Sequence, residues 1–355
     1  MDGIERFVVS TGRSGSTLLS KMLDQNTNLL SLSEFLGAMD HFGRFQDGPV
    51  SGDAFVGVLF GTTGVGLMMP PGVTIKDVYT EFQPTPDDLA RWGVSGSSAL
   101  FAMALPSLSD DPIALMDEIV TFCHAMPTRT IVEQYRALWG WLCERLGRQG
   151  WVERTGANLR WLPEQYRAFP DARYLLIHRD GLETALSMQN HQSMIAQAEA
   201  FEHPPTTDEI ERAIRSRVDG TEHPYRHFYD GAPPPVERFG RYWSYLVSNG
   251  FQGFRHMSPS QLMDVRFEDL TADTASTLQR ISDFFELPAD EGWIDRAAAL
   301  VTGERTRPRL PTLSDEEQAR LRFACLDGQV LLGQAGPEAG QEVYYRIRDV
   351  MAVSR

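Results

Sequence analysis

The chemically most distinctive residues stand near the start of the chain, in the run Ser10-Thr11-Gly12-Arg13-Ser14-Gly15-Ser16-Thr17 that follows the apolar Phe7, Val8 and Val9. A strand-to-helix turn of this composition aims backbone N–H groups and the positive end of a helix dipole at one point, which suits a phosphate or a similar oxyanion. Gly12 and Gly15 allow close backbone approach, and Arg13 offers a planar fork of donors. The hydroxyls of Ser16 and Thr17 are available to complete the shell. A Walker A loop ending at Thr17 would require glycine at position 10 and lysine at position 16, and both positions are serine. That speaks against a magnesium-dependent kinase or nucleotide hydrolase, which stays as one alternative. A nucleotide-binding module without turnover is another. Taken alone, the run also reads as a Ser/Gly-rich turn with no ligand.

A second stretch has the same character. Phe169-Pro170-Asp171-Ala172-Arg173-Tyr174-Leu175-Leu176-Ile177-His178-Arg179-Asp180 puts an arginine at the end of an apolar run, and Ser187 follows on a helical pattern. Arg179 and Ser187 are placed to reach one phosphate. The competing reading is a surface Arg179–Asp180 pair with Ser187 in solvent. A third phrase, Met263-Asp264-Val265-Arg266-Phe267-Glu268-Asp269-Leu270, again joins a β-type run to a helix.

These phrases need a scaffold that holds strand ends beside helix starts, and the pattern supplies one. Runs at 6–10, 174–177 and 262–267 are strand-like, and each leads into a helical pattern: Leu18, Leu19, Met22 and Leu23; then Leu182, Ala185, Leu186 and Met188 from about position 180; then Leu278, Ile281, Phe284 and Phe285. Ile131, Tyr135, Leu138, Trp139, Leu142 and Leu146 mark an amphipathic helix that feeds a short strand at 151–153. Strands alternating with helices predict an α/β fold of the three-layer P-loop type, with a central parallel sheet and one domain over 1–355. Two stretches break the rhythm, about 43–128 and 191–238, and are expected as insertions that cap the site. Within the first, 56–73 is apolar but interrupted by five glycines and Pro70-Pro71, so it is expected as a buried loop or pocket wall, not a membrane span.

The 355 residues are 42% hydrophobic and 23% charged, ordinary for a globular chain. A net charge of −15 excludes nucleic acid or an anionic membrane as the main partner, so any anion site must be local. Cys123, Cys143 and Cys325 form no ligand spacing and are expected as free thiols. The chain passes from Met1 almost directly into Phe7, Val8 and Val9 without a basic leader, which predicts a cytoplasmic protein. Oligomeric state is not readable.

In their order and wording the three phrases resemble the PAPS-dependent sulfotransferases, particularly bacterial members and the tyrosylprotein sulfotransferases, where PAPS is 3′-phosphoadenosine 5′-phosphosulfate. The resemblance implies PAPS as co-substrate, adenosine 3′,5′-bisphosphate (PAP) as product, no metal, and a hydroxyl acceptor; the acidic charge disfavours highly sulfated glycans and acidic peptides, which leaves a small alcohol, phenol or lipid-like natural product bound by the Gly/Met-rich insertion. It assigns Arg13, Ser14, Gly15, Ser16 and Thr17 to the 5′-phosphosulfate, and Arg179 and Ser187 to the 3′-phosphate. A late basic loop closes over that phosphate in the family, which points to Arg305 and Arg307 in the cluster that also holds Arg309. Some members carry Lys-Thr-His where this chain has Arg154-Thr155-Gly156, so that histidine base is missing. Others use a glutamate about twenty residues beyond the loop arginine, which implies Glu34 as the base and Arg154 as the cation that stabilises the transferring group. Glu34 lies in an apolar, uncharged run, 29–36, where desolvation is expected to raise its pKa. His178, His41 and His191 are back-up bases. Trp139, Trp141 and Tyr135, and the group Tyr225, His227, Phe228 and Tyr229, are candidates for the acceptor pocket, with core packing preferred for the tryptophans.

Overall fold

Phe7 and Val9 turn to one side of the first strand and Val8 to the other, and all three are fully buried, which is possible only if both faces of the sheet are covered. The computed structural model describes residues 3–61, 63–70, 73, 84–94, 99–231, 233–301 and 308–336. Among them the strands are β1 (Arg6–Val9), β2 (Leu29–Ser33), β3 (Pro49–Val50), β4 (Arg129–Thr130), β5 (Gly150–Arg154), β6 (Arg173–His178) and β7 (Leu262–Arg266). Five of these form one parallel sheet in the order β2-β5-β1-β6-β7, and β3 pairs antiparallel with β4.

The alternation seen in β1 recurs in its neighbours. Leu30, Leu32, Trp151, Tyr174 and Leu176 join Phe7 and Val9 in a large core with the helices Ile131–Arg145, Gly181–Gln189, Val236–Phe254 and Asp315–Leu331. Val8, Val152, Leu175, Ile177 and Val265 face a smaller core with Ser16–Leu23, Thr274–Phe285 and Trp293–Ala298. The expected three layers and parallel sheet are present. The strand at β2 is not among the expected ones. Its sequence, Leu-Leu-Ser-Leu-Ser, is too short to show a period, and its place at the sheet edge comes from pairing with β5 across more than a hundred residues. The third strand ends at Arg266, and Phe267 opens the next helix.

Residues 43–128 hold the helices Gly52–Leu59, Gly64–Met68, Pro86–Arg91, Ala99–Met103 and Pro112–His124. Phe55, Leu59, Trp92, Phe101, Met116 and Ile119 from this stretch enter the same core as the sheet. The buried loop expected at 56–73 is in part helical: the Ser51 side chain caps Gly52–Leu59 by accepting from Ala54 N, and Gly57 sits in that helix without breaking it. Residues 191–238 hold Gln192–Glu202 and Thr207–Asp219, the second opened by a capping box of Thr206 and Glu209. The three cysteines are free and buried. Among the described residues no helix is long and apolar enough to cross a membrane.

The helix Asp315–Leu331 lies tightly against Val236–Phe254. A Cβ on Gly240 would stand 2.8 Å from the Ala324 Cβ and 3.1 Å from the Cys325 Sγ, so the close approach depends on a missing side chain. Gly240→Val is therefore expected to destabilise the protein by about 1–3 kcal/mol through overpacking, read as a lower urea midpoint. An unchanged midpoint would mean that the two helices can part at no cost.

Candidate active site at the carboxyl edge of the sheet

β1 stops at Val9 and the chain turns through 10–15 into the helix Ser16–Leu23. Gly12, Arg13 and Gly15 adopt φ of 73°, 56° and 92°, a left-handed path that folds the turn over the end of the strand. Gly15 is the N-cap and supplies no side-chain acceptor to the helix, which leaves its first N–H groups open to a ligand. Side chains cannot replace this glycine, because a Cβ there would lie 2.1 Å from the Phe267 ring. Asn158 braces the strand end: its Oδ1 accepts from Ser10 N at 2.8 Å and its Nδ2 donates to Val8 O at 3.1 Å. Ser14 is buried and its Oγ donates to Ile177 O at 3.0 Å, which ties the turn to β6 and takes that hydroxyl away from a ligand. Ser16 is buried and Thr17 exposed.

The second phrase arrives beside the first. Arg179 follows β6 with its guanidinium 5.3 Å from the centroid of the Phe267 ring, the same ring that underlies Gly15. Ser187 Oγ accepts from Arg13 Nε at 3.4 Å, so a residue of each anion-binding phrase touches the other. Asp180 caps its helix by accepting from Glu183 N at 2.9 Å. His178 is buried with Nε2 3.0 Å from Asp264 Oδ1 and Nδ1 3.2 Å from Gln334 Nε2, the position of a brace. Gln334 also donates to Arg179 O at 3.0 Å and accepts from Gly181 N at 3.1 Å. Nothing in the sequence around Gln334 signals this role. Arg309 N donates to Glu183 Oε1 at 2.8 Å, which brings the chain after the late basic loop onto the helix that carries Ser187. Arg305 and Arg307 lie outside the described residues.

Glu34 and Arg154 meet because β2 pairs with β5 in a register that sets Ser33 opposite Arg154. Arg154 Nη1 donates to Glu34 Oε1, and Nη2 donates to Ser33 Oγ at 2.6 Å. Gly156 N donates to both carboxylate oxygens at 3.1 Å. Glu34 itself has φ 58°, and its N donates to Arg154 O at 2.6 Å. The side chains are 24% and 4% exposed for Glu34 and Arg154. The uncharged surroundings expected from the run 29–36 are thus not what the fold supplies, since the charge that meets Glu34 comes from β5. Among the other candidates, His41 is exposed and His191 Nδ1 lies 2.9 Å from Ser193 Oγ. Trp139 and Tyr135 are fully buried in the large core, and Tyr225 packs with Met68, Ala196 and Ala213.

Beneath the pair lies Glu153, fully buried, which sequence reasoning passed over because it sits one residue inside a short strand. Its Oε1 accepts from Thr155 Oγ1 at 2.5 Å and Leu36 N at 3.1 Å, and Oε2 has no partner among the described residues. Burial pushes its carboxyl up to about 7, against the pull of those two bonds, and the nearby Glu34 charge adds to the rise. Asn158, Gln334, Glu153, the buried Arg44 and the half-buried Arg160 all escaped the sequence reading. Among the described residues no group of three or more His, Cys, Asp or Glu is placed to hold a metal ion. The edge as a whole brings the 10–17 turn into contact with the Arg179 and Ser187 phrase and holds the Glu34 carboxylate against the Arg154 guanidinium.

A family model described as "Sulfotransferase family" matches residues 6–291. Solved structures with a similar chain course include the sulfotransferase domain from the curacin biosynthetic pathway, at 13% identity and TM-score 0.45, with 93% of this chain and 97% of that one covered. The sulfotransferase domain of the Synechococcus PCC 7002 olefin synthase follows at 16% identity and TM-score 0.44, with 94% and 96% covered. A sulfotransferase from Mycobacterium avium matches at 13% identity and TM-score 0.42, with 91% and 76% covered. No curated protein matches the chain by sequence.

Glu153 makes stability depend on pH in a defined direction. The folded protein holds its proton up to about pH 7, whereas an ordinary glutamate at 4.5 has released it, so folding takes up a proton in that window and stability falls as pH rises through it. Glu153→Gln, which cannot ionise, is expected to gain on the wild type by up to about 1.4 kcal/mol per pH unit across the window and to hold a constant advantage above it. Urea unfolding of both proteins at several pH values reads this difference. A gap that does not change with pH would mean that Glu153 ionises alike in both states.

Proposed function

The chain belongs to the sulfotransferase family, and from this we propose that it moves the sulfuryl group of PAPS to a hydroxyl of a small-molecule acceptor, with Glu34 as the base. The observation that carries the reading is the meeting, at one sheet edge, of the 10–17 turn, the Arg179 and Ser187 phrase and the Glu34–Arg154 pair. PAPS has two anionic ends, and the residues fit both. The uncapped helix start at Gly15 and Arg13 suit the 5′-phosphosulfate, while Arg179 and Ser187 suit the 3′-phosphate. Ser14 then contributes through its backbone, with Gly15, Ser16 and Thr17 completing the turn. Arg305 and Arg307 would close over the 3′-phosphate. The helices of 43–128 and 191–238 would wall the acceptor pocket, in a protein working in the cytoplasm, with which three free buried thiols agree.

Bound PAPS supplies an activated sulfuryl group. The acceptor oxygen forms the new O–S bond, the S–O bond to the 5′-phosphate breaks, and the hydroxyl proton passes to Glu34. Arg154 meets the negative charge that spreads over the transferring group. Its grip by Glu34 and Ser33 sets the direction of the fork, and the Gly156 N–H holds both carboxylate oxygens of Glu34 in place. Serine at position 16 removes the lysine that a nucleotide kinase would use there.

Thermal unfolding with PAP, with ATP and Mg²⁺, and with 5′-AMP tests the donor site. PAP at ~1,000 times its dissociation constant is expected to stabilise the fold by roughly 4 kcal/mol, and the other two much less. Stabilisation by ATP and Mg²⁺ alone would overturn the reading. Glu34→Gln keeps the side-chain shape and is expected to lower turnover by about 10²–10⁴ while the response to PAP persists. Full turnover in that variant would remove Glu34 as the base.

A further inference from the structure

Close to Glu34 the chain gathers cations for which the donor site has no use. The turn after β5 holds Glu34 through Gly156 N and then runs to Arg160 and Trp161. The Arg160 guanidinium carbon lies 4.2 Å from the Trp161 ring centroid, and that of Arg44 lies 4.0 Å from the same ring. Arg44 is 3% exposed. Their hydrogen bonds go to uncharged oxygens: Arg44 Nη2 donates to Met39 O at 3.2 Å, and Arg160 Nη1 donates to Gln197 Oε1 at 2.5 Å. The Nε of Arg44, the Nε of Arg160 and the Nε1 of Trp161 are buried and have no partner among the described residues. Two unmatched guanidinium Nε–H groups therefore flank one indole whose own N–H is also unmatched, with no described carboxylate bonded to either guanidinium.

Such a group is unfavourable by itself. Buried cations bonded to no carboxylate are held at a cost; Glu153 and Asp40 act favourably on Arg44 and Glu34 on Arg160 from a distance, while the charge of Arg160 works against Arg44. Burial, and then the charge of Arg160, pull the Arg44 guanidinium down to about 10, and burial pulls Arg160 down as well. The charge of Glu34 is felt at Arg160, which puts the cluster within electrostatic reach of the base. A ligand with acceptors and negative charge but no donors is the complement of this group, and a planar or tetrahedral oxyanion satisfies forked guanidinium donors best.

We propose that Arg44, Arg160 and Trp161 form an oxyanion subsite of the acceptor pocket, so that the natural acceptor carries a carboxylate or phosphate group in addition to the hydroxyl that is sulfated. The subsite selects by local charge within a chain of net charge −15, and it deepens the sulfotransferase reading, on which it rests. It also narrows the small alcohol, phenol or lipid-like product expected from the overall charge to one that carries an acid group.

The test compares matched acid and neutral ligands by calorimetry on the full chain with and without PAP: 4-hydroxyphenylacetate against 4-hydroxyphenylacetamide, and glycerol 3-phosphate against glycerol. At least one acid is expected to bind tenfold or more tighter than its neutral partner, about the effect of one charge-assisted hydrogen bond, and the pair that shows it separates carboxylate from phosphate. Arg160→Gln is expected to abolish that ratio while leaving the thermal response to PAP unchanged. Arg44→Gln gives a second reading, though its deeper burial makes the wild-type comparison the primary one. Equal binding of acid and neutral members in both pairs overturns the proposal, as does a ratio that survives Arg160→Gln. A protein that ignores PAP counts against the donor site alone, because the acid-to-neutral ratio without PAP still decides the subsite.

Discussion

Five parallel strands end at one edge, and every residue assigned to chemistry depends on that common direction. Parallel pairing forces each connection to cross a face of the sheet and return, so the turns after β1, β2, β5, β6 and β7 collect on the same rim. The order then decides the company each turn keeps. β1 beside β6 puts the 10–17 turn next to Arg179, and β2 beside β5 puts Glu34 next to Arg154. The ring of Phe267, just past β7, fills the space under Gly15 and under the Arg179 guanidinium and so spaces the 10–17 turn from the start of the Arg179 phrase. A shift of one residue in any of these registers would send a functional side chain to the opposite face.

The charge distribution follows from the same rim. The chain carries 48 acidic against 33 basic residues, yet the cations at the rim, Arg13, Arg154, Arg44 and Arg160, are buried or half-buried while many of the acids lie at the surface. In a dry setting few charges act strongly, and a background of surface carboxylates is screened by water and salt. Carboxylates that do enter the rim are held by named partners: Glu34 by Arg154 and Gly156, and Glu153 by Thr155 and Leu36. The two differ in consequence. Glu34 meets a guanidinium and backbone donors at the surface of the site, whereas Glu153 is surrounded by packing and sits more easily with its proton.

The phosphate turn, the Arg179 phrase and the strand-helix rhythm were legible because each is local: a glycine-rich turn, an apolar run and a helical stripe are patterns over fewer than twenty residues, set by backbone sterics and by which face must be dry. Local pattern was therefore enough for the α/β class, the parallel sheet and the absence of the Walker lysine, and for the two turns proposed to hold anions. Only the tertiary structure decided that Leu29–Ser33 is a strand, that Glu34 is paired and not merely desolvated, that the Ser14 hydroxyl belongs to β6, and that Arg44 and Arg160 share one indole. The reason is the range of the forces involved. Side-chain charge and burial depend on what packs nearby in space, and Glu34 and Arg154 stand 120 positions apart along the chain, a distance over which no local pattern reaches.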